Sequence, residues 1–360
     1  MRDSKTVITP TSHLRPRASS LVDKPSESAR HRFGWFIVPG LLLLLACLCV
    51  LSVMLGAKSI GISTVWLSVT GQLHSSDSVI ILDSRVPRTL MGLAVGSALG
   101  VAGSLIQTLS RNPLADPGIL GVNSGASFAV VLGIALLGNQ TMTEHLGLAF
   151  LGALVTSLLV YVIGTYRETG ASPMKITLSG VAVGALLTGI ASTVTLTHPG
   201  VFDQVRFWDA GSLDVRSFSL LKAGVGPIVI GLVIALAIAP SLDNLALGED
   251  LARGLGTRVV VIQALTLLAI ALLCGTATAM AGPIGFVGLM IPHIARSLAG
   301  PNQGRLTLYA ILLGPSLLIA ADIIGRLISD REIRVSIVIA FVGAPMLIML
   351  ARKVNHFGQL

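Results

Sequence analysis

Long segments without a charged residue limit this chain to one class of fold. They span 33–57, 89–110, 117–143, 145–166, 176–202, 223–242, 259–295, 306–321 and 335–351. Because an α-helix rises about 1.5 Å per residue, roughly 20 apolar residues cross the hydrocarbon core of a bilayer. Charged residues make up only 12% of the chain, against about 25% in a typical soluble domain. The sequence therefore predicts an all-α polytopic membrane protein.

The number of crossings follows from the longest of these segments. Segment 259–295 is too long for one crossing, and Gly282-Pro283 near its middle predicts two helices joined by a tight turn. The other segments fit one crossing each, which gives about ten transmembrane helices. An even number places both termini on the same side, and the basic residues of both tails favour the cytoplasm. We expect residues 1–34 to be a disordered cytoplasmic tail and residues 353–360 a second cytoplasmic tail.

Several kinds of chemistry have no support in the sequence. The three cysteines (Cys47, Cys49 and Cys274) all lie in apolar segments, so they are interpreted as small hydrophobic residues and not as metal ligands. The chain lacks the G-x-x-x-x-G-K-[ST] phosphate loop and the H-E-x-x-H zinc motif. The net charge of +8 is explained by basic residues at cytoplasmic helix ends and does not require a nucleic-acid partner. We predict that the chain is not an enzyme.

Glycines recur at helical spacing in the second predicted span. Gly92, Gly96, Gly100 and Gly103 lie three or four residues apart. Such spacing lets helix backbones approach closely inside a membrane, which is the ordinary interpretation. The alternative is that some of these glycines line a wide pore.

A polar stretch, "SRNPLADPGILGVNSGA" (110–126), separates the second and third predicted spans. Irregular backbone near a membrane survives where it is buried in protein or lines a wet cavity. Asn112, Asp116 and Asn123 can satisfy freed backbone groups and cap the following helix. The stretch is therefore either a well-capped cytoplasmic loop or part of a polar cavity.

A second cytoplasmic segment, 241–259, has an amphipathic pattern. Leu247, Leu251 and Leu255 recur at i, i+4 and i+8, so they share one helical face. Glu249 begins a short helix where the helix dipole favours an acidic residue. Gly248 is predicted to separate two half-helices. The pattern alone fits a connector that lies on the membrane surface.

Three arginines lie at the predicted outer ends of spans. Arg85 and Arg88 open the second span, and Arg326 lies near the end of the ninth, one turn after Asp322. Charges within membrane helices are costly, so they are paired, interfacial or functional. Asp322 and Arg326 are placed to form a pair on one helix. The residues alone leave these alternatives open.

Long motifs connect the chain to a known family. "SRVPRTLMGLAVGSALGVAGSLIQTLSRNPLADPGILGVNSGASFAVVLG" (84–133), "LALGEDLARGLG" (245–256), "AGPIGFVGLMIPHIAR" (281–296), "ADIIGR" (321–326) and "FVGAP" (341–345) occur in the order typical of the FecCD family. Members of this family are permease subunits of ABC importers for iron–siderophore complexes, haem and vitamin B12. The resemblance covers about residues 35–352 and implies the vitamin B12 permease-like, type II ABC importer fold.

The resemblance also implies partners and contact residues. Segment 241–258 would form the coupling helices that bind two ATPase subunits, which would hold ATP and Mg, while this chain would hold no cofactor and no metal. Arg85, Arg88 and Arg326 match the positions that contact carboxylates of a periplasmic or extracellular siderophore-binding protein. A second, similar FecCD-type permease is expected as partner, more readily than a second copy of this chain.

The resemblance places the substrate pathway at the interface between the two permeases. The small polar residues Gln107, Asn123, Ser124 and Ser127 are candidates to line it. The cytoplasmic gate would involve the loop Asn112, Pro113 and Leu114 and the start of the fifth span, at Pro173 and Met174. In the vitamin B12 permease these last two positions hold small hydroxyl residues.

The expected cargo is a ferric siderophore, carried across the bacterial cytoplasmic membrane. The stretch 110–133 together with "VFDQVRFWDAGSLDVR" (201–216) resembles members that carry catecholate siderophores such as enterobactin. A hydroxamate siderophore, haem and vitamin B12 remain alternative cargoes. A secondary transporter driven by ions is a further alternative. It would need an intramembrane carboxylate, for which Asp322 is the candidate.

Overall fold

A computed structural model describes residues 27–56, 58–73, 75–138, 142–166, 173–214, 218–329 and 332–357. Within these ranges the chain is helical and contains no β-strand, as predicted. Its α-helices are α1 Glu27–Met54, α2 Ile62–Val69, α3 Ser76–Ile80, α4 Val86–Ser110, α5 Val122–Leu137, α6 Met142–Thr165, α7 Pro173–Thr197, α8 Pro199–Asp209, α9 Phe218–Ala246, α10 Glu249–Gly254, α11 Val259–Ala281, α12 Val287–Ala299, α13 Gln303–Ile328 and α14 Val335–Phe357. A π-helical segment, Ile81–Arg85, joins α3 to α4, and a 3-10 turn, Pro117–Leu120, precedes α5.

Ten of these helices are apolar enough to lie within a bilayer. Seven of the described helices are also long enough to cross it, while α5, α12 and α14 contain shorter apolar segments. The prediction of about ten spans is therefore confirmed. Two predicted crossings are shorter than expected, because α5 has 16 residues and α12 has 13. They rise about 24 and 20 Å, less than the roughly 30 Å of a hydrocarbon core.

The break predicted at Gly282-Pro283 is confirmed. Helix α11 ends at Ala281 and α12 begins at Val287. Gly282 has φ +74°, and a Cβ atom there would collide with the carbonyl oxygen of Trp208. Only glycine fits this turn without strain.

Three helix boundaries differ from the sequence prediction. Helix α1 begins at Glu27, within the predicted tail 1–34, and α14 continues to Phe357, past the predicted boundary at 353. Residues 1–26 and 358–360 lie outside the described residues. The predicted segment 176–202 divides at His198, because Pro199 cannot donate a helical hydrogen bond and instead begins α8.

Helix α4 lies at the centre of the bundle. It packs against α13, α12 and α11, and most of its side chains are buried. A Cβ atom at Gly96 would lie 2.5 Å from the Cα of Pro315 in α13, and one at Gly103 would collide with the carbonyl of Gly288 in α12. These contacts confirm that the α4 glycines serve close helix packing. Helix α4 is therefore packed tightly against both α12 and α13.

Candidate functional site

The segment between α9 and α11 forms a bent surface structure, which we call the elbow (residues 246–258). The predicted first half-helix is wrong, because α9 continues without interruption to Ala246. Leu242 and Leu245 are 0% and 3% exposed, so the last turns of α9 remain packed on the bundle. Only α10 is a separate short helix. Gly248 divides α9 from α10, as predicted, with φ +119° and ψ 150°.

Polar contacts brace the elbow from inside. Glu249 accepts hydrogen bonds from Arg253 Nη2 at 3.1 Å and from Gln263 Nε2 on α11 at 3.2 Å. Asn244 Nδ2 donates to Thr257 Oγ1 at 3.1 Å. The buried side chain of Ala252 fixes the inner face of α10. Both ends of the elbow are therefore tied to transmembrane helices.

The outer face of the elbow is apolar. Leu247, Leu251 and Leu255 are 62%, 61% and 61% exposed. The single helical face predicted for these leucines does not form, because the helix is broken at Gly248. Only Leu251 lies within α10, while Leu247 precedes the break and Leu255 ends the helix. Three exposed leucines around a braced turn can either enter a partner's groove or rest in the lipid interface.

The polar stretch after α4 is a tightly capped loop. Arg111 adopts the left-handed conformation (φ 50°) and ends α4. Asn112 Oδ1 accepts from the backbone N–H of Leu114 at 2.9 Å, and Asp116 Oδ1 accepts from Gly118 N at 2.8 Å. Asn112 and Pro113 are exposed, and Leu114 is half-buried. The capping interpretation of Asn112 and Asp116 thus agrees with the geometry.

A cleft of about 680 Å³ opens beside this loop, between α5 and α7. Asp116, Ser124 on α5 and Thr188 and Ser192 on α7 supply its polar lining. Thr188 Oγ1 donates to Ser124 Oγ at 3.3 Å. Burial raises the pKa of the Asp116 carboxyl, and the hydrogen bond from Gly118 opposes part of that rise. The cleft is therefore an open surface on which a few hydroxyl groups lie among glycines and small apolar side chains.

Only some of the predicted pathway residues line this cleft. Ser124 does, whereas Gln107 is 3% exposed and its Nε2 donates to the carbonyls of Ala115 and Leu289 at 3.4 and 3.3 Å. Gln107 thus joins α4 to the loop and to α12. Asn123 Oδ1 accepts from Thr278 Oγ1 of α11 at 2.8 Å, which also fixes helix packing.

The other predicted pathway and gate residues are not among those that line the cleft. Ser127 Oγ lies 3.5 Å from Asp209 Oδ1 at the end of α8. Burial raises the pKa of Asp209, and the Ser127 hydroxyl opposes the rise. Pro173 is the first residue of α7, and Met174 beside it is exposed.

Sequence reasoning did not identify the side chains with which α7 lines the cleft. Val181, Ala185, Thr188 and Ser192 recur at i, i+4, i+7 and i+11 and all line it. Leu178, Leu186 and Ile190 are exposed on other parts of the same helix. The spacing of small and hydroxyl residues could have indicated this face from the sequence alone.

The three arginines meet at the opposite end of the bundle from the elbow, and all are buried. Arg85, Arg88 and Arg326 are 6%, 7% and 6% exposed. Two of them hold the end of α1. Arg85 donates to the carbonyls of Val53 and Met54, each at 2.8 Å, and to that of Lys58.

Arg326 holds the same helix end from α13. Its Nη1 donates to the carbonyls of Ser52 and Leu55, each at 2.9 Å, and its Nη2 donates to Ser52 Oγ at 2.9 Å. The last carbonyls of a helix lack intrahelical partners and carry its negative dipole end. Arg85 and Arg326 therefore act as caps that fix α1 to α4 and α13.

Arg88 is part of a carboxylate network. Its Nη2 lies 2.8 Å from Asp322 Oδ1, and its Nη1 lies 2.7 Å from Glu332 Oε2. Asp322 also pairs with Arg326, whose Nε is 3.1 Å from Oδ2, so the predicted pairing of these two residues is confirmed. The side chain of Glu332 is 39% exposed and that of Asp322 is 2% exposed. Contact with a binding protein stays a prediction for all three arginines, because in this conformation each guanidinium bonds within its own chain.

Comparison with known proteins agrees with this architecture. The model of the FecCD transport family matches residues 42–353. The chain is 51% identical over 321 residues to the ferric enterobactin transport system permease protein FepD of Escherichia coli strain K12, covering 89% of this chain and 96% of that protein. It is 39% identical over 280 residues to the Fe(3+)-citrate import system permease protein YfmD of Bacillus subtilis strain 168, covering 78% of this chain and 83% of the relative.

A solved structure shares the same helical arrangement. It is an inward-facing conformation of a metal-chelate type ABC transporter, with a TM-score of 0.77 and 29% identity. The match covers 89% of this chain and 99% of the solved chain. The resemblance seen in the sequence motifs is therefore confirmed, and the chain belongs to the FecCD transport family.

Proposed function

We propose that this chain is a permease subunit of an ATP-driven importer that carries ferric enterobactin, or a closely related catecholate complex, across the bacterial cytoplasmic membrane. The observation that carries this proposal is the 51% identity to the ferric enterobactin permease of Escherichia coli over 89% of this chain. The ferric citrate permease is less similar, at 39% identity. The higher identity to the enterobactin permease favours enterobactin among the iron-chelate cargoes.

Energy enters through partner ATPase subunits in this proposal. ATP and Mg belong to those subunits, and this chain holds no cofactor. The elbow supports the arrangement, because Leu247, Leu251 and Leu255 form an exposed apolar surface on a turn that is braced from inside. One elbow on each of two permeases accounts for two ATPase subunits. Since the ATPases work in the cytoplasm, the elbow and both chain termini face that side.

The cleft between α5 and α7 forms one half of the substrate pathway. Its hydroxyl and glycine lining suits a bulky chelate rich in oxygen, which must pass without being trapped. Thr188 and Ser192 would face lipid if no partner covered them, which is unfavourable for a polar helix face. A second, similar permease closes the pathway, and a heterodimer is preferred to a self-dimer. The permease domain then comprises residues 35–352, between two cytoplasmic tails.

The siderophore-binding protein approaches the end of the bundle that carries the arginine network. Arg88 is the member whose carboxylate neighbours reach the surface, because the side chains of Glu332 and Asp214 are 39% and 46% exposed. A carboxylate of the binding protein would compete with Glu332 for Arg88. Arg85 and Arg326 would stabilise this surface indirectly, because they fix the end of α1 beside it.

Uptake in a deletion strain tests the cargo. An Escherichia coli strain lacking FepD, but retaining the other components of the enterobactin importer, is supplied with this chain. The expected result is recovery of ⁵⁵Fe-enterobactin uptake that excess unlabelled ferric enterobactin abolishes and that ferric hydroxamate, haem and vitamin B12 do not. Competition by one of the other compounds would assign a different cargo. Uptake that persists without the ATPase would contradict the ABC mechanism.

A further inference from the structure

A carboxylate at the end of α9 holds the beginning of α13. Asp243 Oδ1 accepts a hydrogen bond from the backbone N–H of Gln303 at 2.8 Å, and Asp243 Oδ2 accepts from Asn302 Nδ2 at 3.3 Å. Gln303 is the first residue of α13, so its N–H has no acceptor within that helix. The positive end of the helix dipole also favours an anion at this position. Asp243 therefore caps a helix other than its own, three residues before the elbow.

Helix α4 is tied to the same place by two further contacts. Arg111 Nη2 donates to the carbonyl of Leu245 at 3.2 Å, which joins the end of α4 to the last turn of α9. Thr108 Oγ1 donates to Gln303 Oε1 at 2.9 Å, which joins α4 to α13. The three helix ends thus form a closed triangle of polar contacts at the base of the elbow. We call it the inner triangle, and it consists of Thr108, Arg111, Asp243, Leu245, Asn302 and Gln303.

Two of the three helices are also joined along their length. Gly96 packs directly on the backbone of Pro315 in the middle of α4 and α13. At the far end, Arg88 Nη2 and Asp322 Oδ1 are 2.8 Å apart. Close-packed helices move as units because their interfaces resist continuous deformation. A displacement of the inner triangle is therefore carried by α4 and α13 to the end that holds the arginine network.

We propose that Asp243 and Arg111 are positioning residues that transmit the movement of the elbow to the α4–α13 pair. This inference rests on the proposed function, since the movement originates in the ATPase. The proposed ATPase surface is separate, because it consists of the exposed side chains of Leu247, Leu251 and Leu255. Loss of either contact should leave ATPase binding in place while uncoupling hydrolysis from transport.

The test uses the complete importer in proteoliposomes, with ATPase subunits, second permease, binding protein and ⁵⁵Fe-enterobactin. In the Asp243→Ala and Arg111→Ala variants we expect uptake per ATP hydrolysed to fall about tenfold, within the range of typical coupling between sites. Asp243→Asn retains an oxygen acceptor for Gln303 N and should recover part of the coupling. Asp203→Ala removes an exposed ion pair with Arg206 on α8 and is the matched control. It should change neither the rate of ATP hydrolysis nor the rate of uptake. An unchanged ratio in both alanine variants, with normal assembly, would overturn the proposal.

A cross-linked variant separates transmission from folding. Asp243→Cys and Asn302→Cys are combined, since these two side chains are 3.3 Å apart, and a short bifunctional methanethiosulfonate reagent joins them. The unbridged protein should be uncoupled, and bridging should restore uptake per ATP. Failure of the bridged protein to recover, despite complete cross-linking, would contradict transmission through this contact.

A readout that needs no cargo separates this inference from the proposed function. A Thr188→Cys label in the cleft should change its accessibility when nucleotide binds, and Asp243→Ala should abolish that change. If the wild-type importer shows the change but does not take up ferric enterobactin, the cargo assignment is wrong and the transmission role stands. If Asp243→Ala preserves the change, the transmission role is wrong whatever the cargo.

Discussion

The guanidinium of Arg88 on α4 forms a bidentate ion pair with the carboxylate of Asp322 on α13. Nη2 lies 2.8 Å from Oδ1, and Nε lies 3.0 Å from Oδ2. Both side chains are nearly inaccessible, at 8% and 2% exposure. Such bidentate geometry is the strong form of the charge-assisted hydrogen bond. The pair joins the two helices at the ends farthest from the elbow, and the backbones of Gly96 and Pro315 bring the same helices together in the middle of the bundle.

Breaking this pair on one side should destabilise the protein strongly. Arg88→Ala leaves Asp322 with Arg326 alone, and Asp322→Ala leaves two buried arginines without their shared carboxylate. Removing one partner of a buried ion pair typically costs about 3–5 kcal/mol. We expect both variants to lower the thermal unfolding temperature of the purified protein in detergent. The exposed pair of Lys58 and Asp77, 61% and 25% exposed, provides the control, since Asp77→Ala should change stability by less than about 1 kcal/mol. Equal effects at the two sites would contradict a structural role for Arg88.

Gly248 should tolerate no side chain, although space is available. A Cβ atom there would meet nothing within 4 Å, but φ is +119°, a conformation that L-residues rarely adopt. We expect Gly248→Val to distort the elbow and to reduce co-purification of the ATPase subunits. Gly226→Val on α9 is the matched control, because that position is also open and has an ordinary φ. If the two variants retain the ATPase equally, the shape of the turn does not matter for docking.

The exposed leucines should matter for assembly and not for folding. Leu251 is 61% exposed, so Leu251→Ala removes little packing from the isolated chain. At a partner interface, truncation of a central leucine costs about 1–3 kcal/mol or more. We predict an unchanged unfolding temperature of the permease alone and ATPase binding that is at least about fivefold weaker, as measured by titration of the ATPase onto permease in nanodiscs. Leu186→Ala, on an exposed apolar part of α7, should leave ATPase binding unchanged. If the Leu251 variant binds the ATPase with normal affinity, the exposed leucines of the elbow do not contact the ATPase and the lipid-interface alternative is favoured.

The two faces of α7 should differ in contact with water. Thr188 and Ser192 line the cleft, while Leu186 and Ile190 are exposed elsewhere on the helix. Single cysteines at 188 and 192 should react with a charged, membrane-impermeant thiol reagent, and cysteines at 186 and 190 should not. Ferric enterobactin should protect the first two from labelling. Uniform labelling of all four positions would contradict the assignment of the cleft to the pathway.

The apolar segments predicted the bundle well because hydrocarbon thickness fixes helix length. They failed where backbone geometry intervenes. Segment 117–143 is uniformly free of charge, yet Pro117–Leu120 forms a 3-10 turn and Gly121 adopts a left-handed conformation, so α5 starts only at Val122. Hydropathy does not detect such turns, since proline and glycine carry no charge.

The arginines show a different limit of sequence reasoning. The pair of Asp322 and Arg326 was predictable, because helical periodicity places residues i and i+4 side by side. The capping of α1 by Arg85 and Arg326 was not, because Ser52 and Arg326 are separated by 274 positions in sequence. The contacts of Glu332 and Asp214 with Arg88 were likewise not predictable, because they depend on the tertiary positions of two loops that are distant from Arg88 in sequence. Gln107 was assigned to the pathway for its polarity, but its amide proved to join helices within the bundle.

Proteoliposomes that contain the complete importer test whether this chain is a passive half-channel moved by a separate ATPase. The measurement is accumulation of ⁵⁵Fe-enterobactin with ATP on the ATPase side, compared with accumulation driven by a proton or sodium gradient without ATP. We predict uptake that requires ATP, the ATPase and the binding protein, and that is indifferent to either gradient. Concentrative uptake by this chain alone on an ion gradient would contradict the account.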